Sequence, residues 1–454
     1  MTTYYIDPTA KVNGSGTFAS PFKSWSNVTW AAGNTYLQKA GTVERGNRVL
    51  VMAGGTSLAN RVIVGSYDPL TGLRTTGGVG RAILDGTGTA QTIRVNELVN
   101  FVWIDNFEVY GTDGVGGSSA KAVYLGNGTA STMSNDIEVS NCYIHDVKCD
   151  LFPAADNDGI QAFGDRITIR NCIVKNIPTD GIWLQGSNYR IVDNVIANVS
   201  TNDLKGDCIQ TNGDASIRND NGYIARNILD HSSRNAKQVI IVGGIGFSAN
   251  AVIEDNYCVM ADYDNVTSTS AIFVEAANSI VRRNYVQGGY FGICASASGA
   301  NMFAHSNLCY KNQRGIGIGT ATTGIRVIGN TIIGAVLQGV EVGLDLTAVV
   351  KSNLLLNCVT GVRMHGSAAE DYNAFFGNGT DRSLAGGTAN WGTHDVFSDP
   401  LLNAYYRPTA SSPLIAAGAP LDTYPLLDAA GMQFNRVPTI GAFEYIRPRA
   451  GRRG

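Results

Sequence analysis

The 454-residue sequence predicts an all-β solenoid, in which a short strand-rich unit recurs along the chain. Three observations support this prediction. Asparagine follows a β-like run at a recurring interval, and apolar residues alternate with polar ones in phase with that interval. Helical runs rich in Ala, Leu, Glu and Lys are almost absent, while the 54 glycines suit the tight turns between short strands.

The asparagine column defines the length of the repeat. Its members are Asn106, Asn141, Asn171, Asn194, Asn227, Asn256, Asn284, Asn307, Asn330 and Asn353. The last three intervals are each 23 residues, which gives the basic unit. Most earlier intervals are longer, so the earlier units are expected to carry insertions.

A second column runs in phase with the first and predicts one strand of each unit. Its apolar members are Val123, Ile160, Ile182, Ile209, Ile240, Ile272, Ile293, Ile316, Val340 and Val362. The residue after each of them is mixed in character, as expected for a position that points outward. We therefore expect Ile160, Ile182, Ile209 and Ile240 to stack on one another inside the fold.

With a unit of about 20–25 residues and no helix inside it, the chain resembles a right-handed parallel β-helix protein of the pectate-lyase-like superfamily. The resemblance covers nearly the whole chain and implies that asparagines of adjacent coils hydrogen-bond to one another. It also implies an N-terminal capping helix from Ser24 to Lys39, with Trp25, Val28 and Ala32 on one face, and a C-terminal cap. The expected division is an entry region 1–47, a single-stranded β-helix 48–375 and a cap region 376–454.

Three aspartates stand two residues before an inward isoleucine in successive units: Asp158, Asp180 and Asp207. Equivalent positions in stacked coils are about 4.8 Å apart, so the outer pair would be about 9.6 Å apart. Stacked carboxylates raise at least one pKa unless a cation such as Ca²⁺ lies between them. The alternative is turn chemistry, because Asp-Gly is a favoured turn dipeptide. Against it, Cys208 replaces the glycine in the third copy.

Outward side chains around these aspartates are the predicted sugar-binding residues. The aromatic ones, which offer flat apolar faces, are Tyr124, Trp183 and Phe273. The polar ones, which can bind hydroxyl groups, are Gln161, Gln185, Gln210, Asn212 and Lys121. Insertions in the surrounding units predict loops that raise a cleft. The alternative for the aromatic residues is coverage by such a loop.

Further acids and bases are less clearly marked. Glu275 lies two positions after Phe273 and is a second candidate acid, while Lys237 lies near the end of the aspartate series. His145, Lys175 and His231 share an offset of four residues from a column asparagine. They line one edge as bases in one interpretation and are solvated turn residues in the other.

Composition excludes several classes of function. A net charge of −3 argues against a general nucleic-acid binder. The sequence contains no apolar run of about 18 residues, so no membrane span is predicted. The first residues show no secretory signal. Eight cysteines without a CxxC pair read as reduced, buried thiols of a chain made in the cytoplasm.

The resemblance implies an enzyme that degrades a bacterial surface or extracellular polysaccharide. Among such proteins, a chain without a secretion signal is similar to phage tailspike depolymerases, so the expected partners are a polysaccharide, a phage tail and further copies in a homotrimer. Hydrolysis by paired aspartates needs no cofactor. The first alternative is a lyase acting on a uronate polymer, with Lys121, Lys237 or His231 as base and Ca²⁺ held by the aspartates. The second is a non-catalytic glycan-binding or baseplate protein.

Overall fold

The computed structural model describes residues 1–114, 119–148, 156–201, 206–232, 237–261, 269–296, 298–319, 322–343, 347–365, 368–386, 390–420 and 427–446. The chain divides into two compact units, Met1–Ala251 and Val252–Gly454. The helices among the described residues are two single turns of 3₁₀ helix, Trp25–Asn27 and Ala130–Thr132. None of the described helices is long and apolar enough to cross a membrane. The expected three-part division at residues 47 and 375 stays a prediction.

In the first unit, three sheets of parallel strands follow the chain in turn. The first sheet contains β1 (Thr3–Ile6), β2 (Thr35–Lys39), β5 (Val62–Tyr67), β9 (Val102–Asp105), β12 (Ile137–Ser140), β15 (Thr168–Arg170), β18 (Arg190–Val192) and β22 (Tyr223–Ala225), with β6 (Arg74–Thr75) antiparallel to β5. The second contains β3 (Val43–Arg45), β7 (Ala82–Asp85), β10 (Phe107–Tyr110), β13 (Tyr143–His145), β16 (Ile173–Ile177), β19 (Val195–Val199) and β23 (Ile228–His231). The third contains β4 (Val49–Val51), β8 (Gln91–Val95), β11 (Lys121–Leu125), β14 (Asp158–Phe163), β17 (Ile182–Gln185), β20 (Ile209–Thr211) and β24 (Gln238–Val242). A separate pair is formed by β21 (Asn219–Asp220) and β25 (Ser248–Ala249).

The second unit repeats this three-sheet order. Its first sheet contains β26 (Val252–Glu254), β29 (Ile280–Arg282), β32 (Phe303–His305), β35 (Arg326–Ile328), β38 (Val349–Lys351), β41 (Ala369–Asp371) and β44 (Asn390–Trp391). Its second contains β27 (Tyr257–Met260), β30 (Tyr285–Gln287), β33 (Leu308–Tyr310), β36 (Thr331–Ile333), β39 (Leu354–Leu356) and β42 (Ala374–Phe376). Its third contains β28 (Ser270–Val274), β31 (Phe291–Ala295), β34 (Arg314–Ile318), β37 (Gln338–Val342), β40 (Thr360–His365) and β43 (Thr380–Gly386).

The third sheet carries the predicted strand register. Ile160 pairs with Ile182, Ile182 with Ile209, and Ile209 with Ile240. All four side chains are fully buried, so the expected inward stack is confirmed. Successive residues of a strand point to opposite faces, and one strand per sheet is contributed by each coil. Both units therefore have the architecture of a right-handed parallel β-helix, as predicted.

The expected N-terminal capping helix is wrong. Ser24 does cap a helical turn, since its Oγ accepts from Ser26 N at 3.2 Å, but that turn ends at Asn27. Gly33 then adopts a left-handed φ of 68°, and residues 35–39 form β2 between β1 and β5. Thr35 and Tyr36 favour extended backbone, and two parallel neighbours satisfy the strand's hydrogen bonds, which an isolated helix could not match.

The asparagine column contains two structural positions rather than one. From Asn194 onward the side chains form a buried ladder; in the second unit, for example, Asn307 N and Nδ2 both donate to Asn330 Oδ1, at 3.0 and 2.9 Å. The earlier members Asn106, Asn141 and Asn171 lie one residue before the ladder position, with φ between 53° and 66°. Asparagine suits both positions, because its amide bonds along a ladder and its backbone tolerates the left-handed region. The sequence pattern therefore merged two positions into one column.

Removing one rung of this ladder should destabilise the second unit. Asn307 is fully buried, and its Oδ1 accepts from both Asn284 N and Asn284 Nδ2. The change Asn307→Ala leaves Asn284 N without its acceptor and removes the bonds from Asn307 Nδ2 to Val281 O and Asn330 Oδ1. We therefore expect a loss of roughly 2–4 kcal/mol in the free energy of unfolding, measured by urea titration. Asn13→Ala, at an exposed loop position, is the control and should cost less than about 1 kcal/mol.

The C-terminal segment packs on the outside of the second unit. Leu414 and Ile440 form an apolar cluster with Leu354 and Ala374, while Ala419 and Phe434 pack on Ile328. Backbone hydrogen bonds hold the segment in place, since Gly441 N donates to Ser352 O and Ala442 N donates to Thr331 Oγ1. The Tyr406 ring lies 6.3 Å from that of Tyr310, which places the segment around residue 405 beside the second sheet.

No disulfide joins the seven described cysteines, and all seven are buried: Cys142, Cys172, Cys208, Cys258, Cys294, Cys309 and Cys358. Cys149 lies outside the described residues. Burial raises the pKa of Cys294 to about 12, so a small reactive fraction of thiolate is expected. We predict that a thiol reagent reacts slowly with the native protein and titrates eight thiols in denaturant. A count below eight under denaturing, non-reducing conditions would contradict this.

Candidate functional site: an aspartate ladder and its outer strip

The three aspartates are brought together at the start of neighbouring strands in the third sheet of the first unit. Asp158 Oδ1 accepts from Asp180 N at 3.3 Å, and Asp180 Oδ1 accepts from Asp207 N at 2.7 Å. Asp207 Oδ1 in turn accepts from Gln238 N at 2.7 Å. One oxygen of each carboxyl group therefore ties its coil to the next. We call Asp158, Asp180 and Asp207 the aspartate ladder.

All three carboxyl groups of the ladder are buried, with exposures of 0%, 7% and 2% in chain order. Burial raises the pKa of Asp158, although Lys121 opposes the shift. Burial raises the pKa of Asp180 well above its usual value, and the neighbouring carboxyl groups add to this. Burial raises the pKa of Asp207 to about 7, against the opposing hydrogen bond from Gln238 and the charge of Lys237. Burial therefore favours the neutral, protonated form at Asp180 and Asp207, whereas the charge of Lys121 counteracts this effect at Asp158.

Lys121 supplies a buried positive charge at one end of the ladder. Its Nζ lies 3.1 Å from Asp158 Oδ2 and donates to the Asp156 carbonyl. The ammonium group therefore offsets the negative charge of Asp158 at this end of the ladder. Among the residues that the structure describes, no group of three or more His, Cys, Asp or Glu side chains is arranged to hold a metal ion.

The glycines that follow two ladder aspartates are explained by close packing and not by a turn. Neither has a left-handed φ, since both are absent from the positive-φ glycines of the described chain. A Cβ on Gly159 would lie 2.6 Å from Gly181 O and 2.8 Å from Val174 Cγ1. A Cβ on Gly181 would lie 2.7 Å from Cys208 O. The turn alternative is therefore not supported by the backbone.

Four predicted sugar-binding residues form a continuous row beside the ladder. Tyr124, Gln161, Trp183 and Gln210 occupy paired positions on β11, β14, β17 and β20, and each is partly exposed. We call them the outer strip. In the orientation in which its side-chain nitrogen faces the ladder, Gln210 donates a hydrogen bond to Asp207 Oδ2 at 3.1 Å. In the same orientation, the side-chain oxygen of Gln210 accepts a hydrogen bond from Trp183 Nε1 at 3.3 Å. Gln210 therefore connects Asp207 to the strip.

Phe163, which was not among the predicted residues, is a buried ring that packs against the aromatic members of the outer strip. Its ring centroid lies 6.0 Å from that of Tyr124 and 5.0 Å from that of Trp183. It stands two residues after Gln161 on β14, so extending the period-2 alternation by one step would have found it.

Other predicted residues lie elsewhere or are already engaged. Gln185 is buried and donates to Asp214 Oδ2 at 2.7 Å, while Asn212 is partly exposed just beyond β20. Lys237 is exposed next to the last rung. Phe273 and Glu275 are partly exposed and belong to the second unit. The inserted residues 149–155 and 202–205, which were expected to form cleft loops, lie outside the described residues.

The predicted row of His145, Lys175 and His231 is wrong at its third member. His145 pairs with Lys175 and Lys175 with Ala197, but Ala197 pairs with Asp230, which places His231 one residue out of line. The cause is that Asn141 and Asn171 lie one residue before the ladder position, whereas Asn227 occupies it. The same offset of four residues therefore does not reach paired positions. His231 is fully buried, and burial lowers its pKa to about 4, so its imidazole is neutral at pH 7.

A second cluster, absent from the sequence predictions, lies on the third sheet of the second unit. Glu341 lines a cleft of about 250 Å³ together with Phe291, Gly317 and His365. Its carboxylate is 2.7 Å from Arg314 Nε and 3.9 Å from His365 Nε2. We call this the Glu341 cleft. Arg314 lies two residues before the inward Ile316, and Glu341 directly follows the inward Val340 of the next coil. The stacking of these two coils is the sequence signal that could have placed them together.

Comparisons of sequence find no relative of this chain. No protein-family model matches it. No curated protein matches it either.

Comparisons of structure do find similar folds at low sequence identity. XylC in complex with xylose is 10% identical, with a TM-score of 0.56 and coverage of 98% of both chains. The tailspike of E. coli bacteriophage HK620 in complex with a pentasaccharide is 9% identical, with a TM-score of 0.55 and coverage of 86% of this chain and 72% of that one. The GH136 lacto-N-biosidase of Eubacterium ramulus is 12% identical, with a TM-score of 0.52 and coverage of 87% and 68%. The chain therefore shares with these proteins the right-handed parallel β-helix fold.

Proposed function

We propose that the protein is a polysaccharide depolymerase that hydrolyses a glycosidic bond with Asp207 as proton donor. The observation that carries this is the Asp207 carboxyl group, whose pKa is raised to about 7 and whose Oδ2 meets Gln210 at the aromatic outer strip. A carboxylic acid that keeps its proton near neutral pH is what a glycosidase needs at the leaving oxygen. Two of the similar structures contain a bound sugar, xylose in one and a pentasaccharide in the other, and the third is a lacto-N-biosidase. These likenesses support a carbohydrate substrate for this chain.

The ladder also supplies a second carboxylate for the water. Asp158 lies two coils from Asp207, a separation of about 9.6 Å for regular coils. Carboxyl groups about 6.5–9.5 Å apart suit inversion, because a water molecule fits between the second carboxylate and the sugar. Lys121 stabilises the ionised form of Asp158, and neutral Asp180 separates the two. We therefore assign Asp207 as acid and Asp158 as base.

Burial of the ladder sets a requirement for this mechanism. Asp207 is 2% exposed, and the Gln210 amide stands between its Oδ2 and the neighbouring strip residue Trp183. A glycan lying along Tyr124, Gln161 and Trp183 must displace that amide to receive the proton. The loss of the amide hydrogen bond is offset when the carboxyl group donates to the glycosidic oxygen instead.

Product analysis tests this proposal. Purified bacterial capsular and extracellular polysaccharides are incubated with the protein, and reducing ends and ultraviolet absorbance are followed together. We expect new reducing ends without the absorbance of an unsaturated uronate, and proton NMR should show inversion at the anomeric carbon. Absorbance from an unsaturated uronate would overturn hydrolysis.

A lyase is the second candidate, and the Glu341 cleft is the observation that favours it. Arg314 and Arg363 lie 2.7 and 3.8 Å from the Glu341 carboxylate and compensate its negative charge, which lowers the repulsion that a uronate carboxylate would meet in the cleft. His365, partly exposed there, is a base within reach. If this is correct, His365→Ala abolishes uronate cleavage while Asp207→Asn preserves it.

A non-catalytic glycan-binding role is the third candidate. The hydrogen bonds that tie each ladder carboxyl group to the next coil give the aspartates a structural purpose without chemistry. Binding of a polysaccharide without any new reducing ends or absorbance would favour this role.

We also propose that the protein acts outside the host cell as part of a phage tail, assembled as a homotrimer. The likeness in fold to a bacteriophage tailspike supports this proposal. Sedimentation equilibrium should give a mass about three times that of the 48.1 kDa chain. A monomer at micromolar concentration would argue against the trimer.

A further inference from the structure

The second unit has a second concave surface, between its second sheet and the C-terminal segment. The groove has a volume of about 690 Å³, within the range of about 300–1,000 Å³ that small-ligand pockets occupy. Its main lining residues are Tyr285, Asn403, Tyr405, Tyr406, Arg407 and Phe443. We call it the tyrosine groove.

The aromatic side chains of the tyrosine groove are all at least partly accessible. Tyr405 is 77% exposed, while Tyr285, Tyr406 and Phe443 are partly exposed. Tyr257 is not a lining residue, but it pairs with Tyr285 on the second sheet and is 46% exposed. The rings of Tyr257 and Tyr285 are nearly parallel, with centroids 4.8 Å apart and an interplanar angle of 5°. Exposed apolar residues without a function are usually scattered singly over a protein surface. Several accessible rings that meet at one concave surface therefore indicate a binding site.

The loop that presents Tyr405 and Tyr406 is held in one conformation. Asn403 Oδ1 accepts from Tyr405 N at 2.9 Å and from Arg407 N at 3.1 Å, and Asn403 N donates to Arg407 O at 2.9 Å. A preorganised loop loses less conformational entropy when a ligand binds. The two rings are therefore presented before any ligand arrives.

The polar groups of the groove define the charge of its ligand. The Arg407 guanidinium lies over the Phe443 ring at 5.0 Å, which leaves its N–H groups directed around the ring edge as donors. The residues lining the groove include no aspartate or glutamate. Such a surface fits a neutral or acidic ligand with many hydroxyl groups and disfavours a cationic one.

We propose that the tyrosine groove binds a segment of an oligosaccharide chain, as an anchoring site that is distinct from the aspartate ladder. A sugar ring presents an apolar face of C–H groups bordered by hydroxyls. Tyrosine matches it with a flat ring and a polar tip, and Arg407 and Asn403 add hydrogen-bonding groups at the rim. The choice of a glycan as ligand rests on the proposed function. The site itself rests on the contacts of the second unit alone.

Calorimetric titration with defined oligosaccharides tests the proposal. The probes are cellohexaose, xylohexaose, mannohexaose and hexagalacturonate, and the background is the Asp207→Asn protein, so that cleavage does not confuse binding. We expect at least one probe to bind, and Tyr405→Ala to weaken its affinity by about tenfold or more. Tyr405→Phe keeps the ring and should stay within about threefold. Phe376→Ala, an exposed ring outside the groove, should bind as the parent does.

The outcomes separate this site from the cleavage site. No binding of any probe, or equal affinity for the parent and Tyr405→Ala, overturns the groove. Because Tyr405 is largely exposed, its truncation leaves the fold intact, which the melting temperature of the variant checks. If Asp207→Asn still cleaves polysaccharide while Tyr405→Ala loses affinity, the hydrolytic mechanism fails and the groove stands.

Discussion

The change Asp207→Asn is expected to lower polysaccharide cleavage by about 10²–10⁴-fold, the usual contribution of general acid–base catalysis. Asparagine keeps the shape of the side chain and still accepts from Gln238 N, but it has no proton to give to the leaving oxygen. Activity is followed as reducing ends at pH 6. The control Asp193→Asn removes a surface carboxylate that pairs with Arg226 in the same unit and should leave activity unchanged.

The stability of the Asp207→Asn variant gives an independent check. The folded-state pKa of about 7 lies above the usual value of 3.8, so the native state holds a proton that the unfolded chain releases between these values. The contribution of Asp207 to the stability of the parent therefore falls as pH rises from about 4 to 7 and stays low above that. Asparagine removes this loss, so the melting temperature of the variant at pH 8 should equal or exceed that of the parent. A variant that is inactive because it is unfolded would contradict the account.

The change Lys121→Met is expected to destabilise the protein by about 3–5 kcal/mol. Lys121 and Asp158 are both buried, with side-chain exposures of 5% and 0%, and removal of the ammonium group leaves Asp158 Oδ2 without a partner charge. Urea titration measures the loss. The control Lys39→Met breaks a partly exposed pair with Asp7 and should cost about 1 kcal/mol or less.

The double variant Lys121→Met/Asp158→Asn separates charge from packing. Neutralising the carboxyl group removes the uncompensated buried charge, so most of the lost stability should return. Activity should stay low, because Asp158 is the proposed base. If the double variant is as unstable as Lys121→Met, the ion pair is not what stabilises this end of the ladder.

The strand register was predictable from the sequence because each coil repeats one local pattern. The inward positions of Ile160, Ile182 and Ile209 follow from period-2 alternation, and the ladder follows from stacking equivalent positions. The outer strip was predictable for the same reason. Any residue with a fixed offset from an inward isoleucine has a known neighbour in the next coil.

The remaining features depend on contacts between segments that are not equivalent positions of the repeat. Residues 24–39 have an amphipathic helical pattern, and only the pairing of β2 with β1 and β5 decides for a strand. The one-residue shift between Asn171 and Asn194 arises because asparagine suits both the left-handed bend and the ladder. The burial of His231 and the meeting of Tyr285 with Tyr405 depend on chain segments far apart in sequence.

The pH dependence of kcat/KM on the cleaved polysaccharide tests the central claim most directly. Asp207 must be protonated to act as the acid, so activity should fall as pH rises through an apparent pKa of about 7. The fall should approach tenfold for each pH unit above that value. A profile that stays flat from pH 6 to about 9, or an Asp207→Asn variant with the activity of the parent, would show that the ladder is not the catalytic site.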